Sequence, residues 1–138
     1  EHADQLALAR DTPDYQVAAL FFYMDAADNL YLQGKAEAVV STFRRLGYAW
    51  RSARKEVREE LMQQGGPGYY LDVYGQYFQI DAGDQIELKE TQRALEYVGY
   101  CKQLLDIADQ NAWIPDDVMN ERRAELEALR QQIGQIGQ

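Results

Sequence analysis

The chain has 138 residues, of which 46% are apolar or aromatic and 27% are charged, so it is long enough to bury a core and too hydrophobic to be intrinsically disordered. Its formal net charge of −9 opposes direct binding to nucleic acid. Its apolar stretches are shorter than the roughly 20 residues of a membrane-spanning helix, so membrane insertion is not expected. These bounds predict one domain over 1–138, with fraying at 1–11 and 134–138.

The single cysteine, Cys101, has no partner for a disulfide within the chain, which favours a cytoplasmic setting. No signal segment, with basic residues followed by an apolar run, opens the sequence. The first residue is Glu1 and not Met, so removal of a leader or of a further domain upstream stays open.

The first predicted helix begins at Asp11-Thr12-Pro13-Asp14. This string offers a capping side chain, a proline where no N–H is needed, and a carboxylate in the first turn. Apolar residues then recur at helical spacing as far as Tyr31, and Gly34 suits the end of a helix. The pattern predicts a helix of about five turns.

A second and longer helix is predicted over 36–64. Its apolar residues alternate in steps of four and three: Val39, Phe43, Leu46, Trp50, Ala53, Val57 and Leu61. Such a one-sided stripe is typical of a helix that packs on a core. The opposite side is basic, with Arg51, Arg54, Lys55 and Arg58 within two turns, and Gly65-Gly66-Pro67-Gly68 ends the helix.

The segment 69–81 has two interpretations. Its tyrosine, valine, phenylalanine and isoleucine residues favour strands, and Gly75-Gln76 would suit a hairpin turn. Helical spacing competes, because it relates Tyr70, Val73, Tyr74, Tyr77 and Phe78, and a lone hairpin would have no sheet to join. We favour a helix that ends at 82–84 and keep a short β-hairpin at 69–81 as the alternative.

Two further helices complete the pattern. One runs from Leu88 to near Asn111, and the other starts at Pro115-Asp116-Asp117, where proline and carboxylates suit a helix N-terminus. The last helix carries an apolar stripe of Met119, Leu126, Leu129, Ile133 and Ile136. The sequence therefore predicts an all-α fold of four or five antiparallel helices, arranged as a bundle or as stacked helical hairpins.

The string Ala27-Asp28-Asn29-Leu30-Tyr31-Leu32-Gln33-Gly34, followed by Val39, Phe43 and Leu46, resembles the helix-turn-helix signature of tetratricopeptide repeats. A second copy could start at Tyr74-Gly75, with Phe78 and Gly83. That copy needs a one-residue insertion and departs from the repeat length of about 34 residues. The resemblance implies a peptide-binding or scaffolding role.

Residues that could carry catalysis are sparse. The sole histidine, His2, lies near the N-terminus, so no Ser-His or Cys-His pair in a core is supported. Cys101 is expected to be a buried core residue. Asp25 and Asp28 stand one turn apart and could hold a divalent cation, although salt bridges to the arginines of the next helix are favoured. No catalytic residue, metal ligand or cofactor is assigned.

Residue types that favour protein binding cluster in two places. Four tyrosines fall within nine residues at 69–77, and tyrosine gives a large contact area at low entropic cost. The arginines of the second helix can grip carboxylate or phosphate groups. We assign partner binding to six residues: Tyr70, Tyr74, Tyr77, Arg51, Arg54 and Arg58.

The leading hypothesis is a non-catalytic protein-protein interaction module, such as an adaptor, a chaperone or an inhibitor, whose partner is another protein. One alternative is a small-molecule sensing bundle with an interior pocket lined by tyrosines and an arginine. Another is an enzyme that uses Asp25 and Asp28 with a divalent metal. The stripe of the last helix favours a homodimer through 118–136, although it could instead close the monomer's own core.

Overall fold

The computed structural model describes residues 13–136, and these residues form six helices and no strand. The helices are α1 Pro13–Leu32, α2 Ala36–Ser52, α3 Lys55–Gln63, α4 Gly66–Glu87, α5 Thr91–Asn111 and α6 Asp116–Ile136. The predicted all-α class is confirmed. The alternative β-hairpin at 69–81 is wrong, because that segment lies inside α4. Within the described range, no helix has the length and apolar character needed to cross a membrane.

The chain divides into two compact units, with the boundary between Pro67 and Gly68. The first unit contains α1, α2 and α3, and the second contains α5, α6 and nearly all of α4. One domain over 1–138 stays a prediction. The expected capping residues Asp11 and Thr12, and the fraying at 1–11, lie outside the described residues.

In the first unit, α1 and α2 pack together as a helical hairpin. Both helices bury apolar side chains: Leu20, Met24, Ala27, Val39, Phe43, Leu46 and Trp50. Gly34 turns the chain between them with φ of +74°. The amides of Gly34 and Lys35 bond back to carbonyl oxygens in the last turn of α1. This is a Schellman turn, in which glycine is favoured because φ is positive.

The helix predicted over 36–64 is wrong in one respect, because the chain breaks into α2 and α3 at Ala53 and Arg54. Both residues have extended backbone, with ψ of 160° and 146°. The hydroxyl of Ser52 donates to the carbonyl oxygen of Tyr48 at 3.0 Å, and the amide of Arg54 donates to Gln16 Oε1 at 2.8 Å. These bonds satisfy backbone groups at the break, so the break needs neither glycine nor proline.

Helix α4 begins at the turn Gly65-Gly66, where φ is +104° and +64°, and continues to Glu87. The predicted end at 82–84 is wrong. A single helical glycine costs only about 1 kcal/mol, and the buried Ile86 beyond Gly83 holds the last turn against the core. The second tetratricopeptide-like copy would need Gly83 at a turn, so it does not form, whereas the first coincides with the α1–α2 hairpin.

Lys89 and Ala112 follow the ends of α4 and α5 and have positive φ of 60° and 55°. Each residue occupies the left-handed position of a Schellman turn, as shown by the amide of Trp113, which donates to the carbonyl oxygen of Ala108 at 3.0 Å. Leu88, predicted as the first apolar residue of the next helix, lies exposed in the first of these turns. Helix α5 therefore starts three residues later, at Thr91.

Helix α4 packs on α5 through Phe78, whose ring centroid lies 6.1 Å from that of Tyr97 and 5.9 Å from that of Tyr100. Near the start of α4, Gly68 lies directly against the backbone of Trp113. A β-carbon at Gly68 would overlap the carbonyl oxygen of Trp113 and lie 3.2 Å from Ile114 Cγ1. Only glycine allows this approach, which brings the α5–α6 connection against α4.

Helix α6 packs against α5. Within its apolar stripe, Met119, Leu126 and Ile133 are buried, Leu129 is half-buried and Ile136 is exposed. The helix continues through Gly134 to Ile136, and the fraying at 134–138 stays a prediction. The burial agrees with a stripe that closes the monomer's own core, and the homodimer through 118–136 stays a prediction.

Candidate functional site

Helix α4 carries apolar side chains on two sides. One side is buried: Pro67, Leu71, Tyr74, Phe78, Ala82 and Ile86. On the other side solvent reaches large side chains, with Tyr69 exposed at 67%, Ile80 at 61% and Tyr77 at 42%. Tyr70 is also exposed, and Val73 between them is half-buried. We call Tyr69, Tyr70, Val73, Tyr77 and Ile80 the tyrosine face.

Helical spacing explains why these side chains share one side of α4. Steps of three and four residues connect Tyr69, Val73, Tyr77 and Ile80, and such steps keep side chains in one row. At 1.5 Å per residue, the row is about 16 Å long. Helix α4 contains no lysine or arginine, and the exposed Asp84 follows the row at its C-terminal end. The tyrosine face is therefore apolar along its length and acidic at one end, where the helix dipole is also negative.

Tyr74 does not share this exposed surface, although the sequence places it in the predicted site with Tyr70 and Tyr77. Tyr74 is 4% exposed and belongs to the buried side of α4. Tyr70 and Tyr77 are seven residues apart, so they lie almost one above the other along the helix. Tyr74 is rotated about the helix axis away from both of them, towards the core. Its ring still contacts that of Tyr77, with centroids 6.0 Å apart and planes at 79°. Tyr74 therefore supports the tyrosine face from beneath.

A polar network joins α4 to α6 beside the tyrosine face. Arg122 Nε donates to Asp72 Oδ1 at 2.7 Å, and its Nη2 donates to Asp72 Oδ2 at 3.0 Å. Arg122 Nη1 donates to Glu125 Oε1 at 3.1 Å. Gln76 and Gln79 of α4 donate to Asp72 and Glu125, at 2.9 and 3.3 Å. The hydrogen bond to Asp72 is the main cause that raises the pKa of Arg122 above its usual range, so the guanidinium stays charged.

The same network lines an open groove of about 530 Å³ between α4 and α6. Ile80, Ala128 and Leu129 give the groove an apolar wall, and Arg122 and Glu125 give it a charged one. The small-molecule alternative expects an interior pocket lined by tyrosines and an arginine, whereas this groove contains the arginine and no tyrosine. Because Ile80 belongs to both, the groove continues the tyrosine face.

The predicted basic face is divided by the break after α2. Arg51 lies in the last turn of α2, Arg54 precedes α3, and Arg58 lies within α3. Arg51 and Arg54 are exposed, and Arg58 is half-buried. The three arginines therefore do not form one continuous helix face. They belong to the first unit, whereas the tyrosine face belongs to the second.

The residues singled out for chemistry lie in two different settings. Cys101 is buried, and its thiol donates to the carbonyl oxygen of Gly75 at 3.3 Å. Burial, aided by the charge of Asp81, raises the pKa of Cys101 to about 12, so the thiol is protonated at neutral pH. Asp25 and Asp28 are exposed on α1. Over residues 13–136, no group of three or more histidine, cysteine, aspartate or glutamate side chains is placed to hold a metal ion.

A second exposed apolar surface lies on α1, and our sequence reasoning missed it. Phe22 is exposed at 69% and Leu32 at 75%. The run Phe21-Phe22-Tyr23 is the signal that could have revealed this surface. Three successive residues of a helix spread over about 200° of its circumference, so they cannot all face one core.

No family model, no curated protein and no solved structure matches this chain. The likeness of 27–34 to a tetratricopeptide repeat therefore rests on these residues and on the α1–α2 hairpin in which they lie. Function has to be argued from the exposed surfaces of the two units.

Proposed function

We propose that this protein is a non-catalytic protein-interaction module that binds a partner protein through the tyrosine face of α4. The supporting observation is that large apolar side chains stay exposed on a helix whose opposite side already fills the core. Contiguous exposed apolar surface of this kind marks interaction sites in soluble proteins. Tyrosine is also one of the residue types that dominate interface energies, because it combines a large apolar area with a polar end.

The tyrosine face is held in place before any partner arrives. The rings of Tyr69 and Tyr70 lie edge to face, with centroids 5.6 Å apart, and Tyr77 lies against the buried Tyr74. The bidentate pair of Arg122 with Asp72 resists rotation of α4 about its axis. Side chains ordered in advance lose less conformational entropy on binding, which favours affinity.

The exposed arginines of the first unit are proposed as a second region that contacts the partner. Arg51 and Arg54 are exposed, and a guanidinium can form two parallel hydrogen bonds with a carboxylate of the partner. Arg54→Glu is a suitable test, because a carboxylate at the start of α3 agrees with the helix dipole and should leave stability unchanged.

The experiment is affinity capture from the native cell extract with three forms of the full chain. These are the unaltered protein, the Tyr70→Ala/Tyr77→Ala variant, and Tyr48→Ala as a matched control. Tyr48 is 70% exposed on α2, outside the tyrosine face. We expect one protein to be retained by the unaltered chain and by Tyr48→Ala, and to be lost with the double variant while helicity by circular dichroism is unchanged.

The proposal fails if the captured protein is retained equally by the double variant, or if no protein is retained by the unaltered chain. The role of the arginines is tested separately with Arg54→Glu. Retention of the partner by Arg54→Glu at full strength would remove the arginines from the interface and leave the tyrosine face in it.

A further inference from the structure

The groove between α4 and α6 gives the second unit a concave surface beside the tyrosine face. It holds about 530 Å³, and on α6 the residues that line it run from Arg122 to Gln132. At the rise of a helix this run is about 15 Å long, or nearly three turns. Ile80 belongs both to the groove and to the tyrosine face. One elongated segment of a partner can therefore contact both surfaces.

The backbone of the groove walls decides which kind of segment suits the groove. Both walls are α-helices, whose backbone N–H and C=O groups already bond to one another. An extended segment would find no free strand edge to pair with, and its own backbone groups would lose water without compensation. A helix satisfies its own backbone groups and offers only side chains to the groove. The occupant that fits is therefore an α-helix.

The charged groups of the groove already satisfy one another. Arg122 donates two hydrogen bonds to Asp72 and one to Glu125. The other oxygen of Glu125 accepts from Gln79, so every oxygen of the two carboxylates has a donor. A charged side chain brought into the groove would lose water and meet counter-charges that are already engaged, which is unfavourable. The groove therefore favours an uncharged contact surface.

Two glutamines of α4 give the groove fixed hydrogen-bond acceptors. Gln76 Nε2 donates to Asp72 at 2.9 Å, and Gln79 Nε2 donates to Glu125 at 3.3 Å. An amide carries its donors on the nitrogen and a separate acceptor on the oxygen. Because each nitrogen is engaged with a carboxylate, the carbonyl oxygen is the group that each side chain chiefly offers to a partner. A hydroxyl or amide side chain is the uncharged donor that matches it.

We propose that the groove between α4 and α6, together with the tyrosine face, binds one amphipathic α-helix of the partner protein, and that the contacting side of this helix is uncharged. Its apolar residues pack against Ile80, Ala128 and Leu129. A serine, threonine, asparagine or glutamine among them donates to the amide oxygens of Gln76 and Gln79. This inference rests on the proposed function and adds the class of partner to it.

The probe is a display library of helical peptides of about 18 residues, which is about five turns. The positions i, i+3, i+4, i+7 and i+8 on one side carry any amino acid, and the other positions carry alanine, lysine and glutamate, which favour a helix. The library is selected against the immobilised full chain. We expect the enriched peptides to be apolar at most of the varied positions, with one hydroxyl or amide residue and no charged residue among them.

An enriched peptide is then synthesised, and its affinity for the full chain is measured by fluorescence anisotropy. Ala128→Lys places a long charged side chain in the groove, so it should weaken binding by about tenfold, equivalent to about 1.4 kcal/mol. Ala124→Lys is the matched control and should bind normally, because Ala124 is exposed on the same helix and does not line the groove. Binding by the unaltered chain should be nearly independent of salt, since the contact is uncharged.

The Tyr70→Ala/Tyr77→Ala variant separates this inference from the proposed function. We expect it to weaken peptide binding as well, and circular dichroism checks that each variant is folded. Loss of binding in this variant with full binding by Ala128→Lys would overturn the groove as a site and keep the tyrosine face. Loss in Ala128→Lys alone would keep the groove as a helix site and remove the tyrosine face. Full binding by both variants would overturn both.

Two further results would overturn the proposal. One is enrichment of peptides with lysine, arginine, aspartate or glutamate at the varied positions, which would mean that the charged groups of the groove accept an outside partner. The other is a selection in which the unaltered chain retains no peptide.

Discussion

The inner and outer sides of α4 carry similar residues and differ in what surrounds them. Tyr74 and Tyr77 are one turn apart, and their rings touch, yet Tyr74 is buried and Tyr77 is exposed. The inner side is set by close packing, with Gly68 against the backbone of Trp113 and Phe78 between two tyrosines of α5. The outer side meets no such constraint. The inner side should therefore control folding and the outer side recognition.

The largest expected effect is that of Tyr74→Ala on the inner side. Removing a buried aromatic ring loses its transfer free energy and leaves a cavity, which costs about 4 kcal/mol. The free energy of unfolding, measured by urea denaturation, should fall by that amount. A fall below about 1 kcal/mol, within the range of an average substitution, would mean that Tyr74 is not a core residue.

Gly68→Ala should come next, at about 3 kcal/mol, because the added methyl group meets backbone atoms of Trp113 that cannot move aside easily. Gly83→Ala is the matched control on the same helix, where a β-carbon has no neighbour within 4 Å. That control should stabilise the protein by about 1 kcal/mol through helix propensity. Thermal unfolding of the two variants should therefore shift in opposite directions.

Arg122→Met should cost about 2 kcal/mol, because it leaves Asp72 and Glu125 without their shared charge-assisted hydrogen bonds. Arg123→Met provides the comparison. Arg123 contacts Asp106 and Asp109 at 3.4 and 3.3 Å from a half-exposed position, so its loss should cost about 0.5 kcal/mol or less. Equal unfolding midpoints for the two variants would show that the polar network does not hold α4 to α6.

Among the substitutions on α4 that destabilise the protein, Tyr77→Ala should have the smallest effect, about 1 kcal/mol or less, because the side chain is exposed and its ring contact with Tyr74 contributes little. Combined with loss of the captured partner, this result would sharpen the division between the two sides of α4. A cost near that of Tyr74→Ala, seen in the same urea titration, would erase the division.

Much of the helical architecture could be predicted from the sequence, because apolar periodicity decides whether a segment buries one side. The break after α2 could not be predicted this way. It depends on Gln16, which lies far away in sequence and caps the amide of Arg54. The end of α4 was equally hidden, because Lys89 occupies a left-handed position where a sequence pattern looks for glycine. The end of α5 at Asn111 agrees with the prediction.

The candidate site was predictable in composition but not in orientation. Clustered tyrosines indicate a surface suited to binding, and three of the four are exposed. Helix α4 is apolar around most of its circumference, so periodicity gives no decision about which tyrosine faces the core. That decision comes from the polar network and from Gly68, which fix the rotation of α4 through contacts distant in sequence. The same difficulty hid the exposed aromatic residues of α1.

The buried thiol of Cys101 can report local separation of α4 from α5. As the sole cysteine, it can react with a thiol reagent only when α4 and α5 separate enough to release its hydrogen bond to Gly75 and to admit solvent. At mildly alkaline pH, the ratio of its labelling rate to that of an unstructured cysteine gives the equilibrium constant for this local opening. Partners that clamp the outer side of α4 should therefore slow labelling on the inner side.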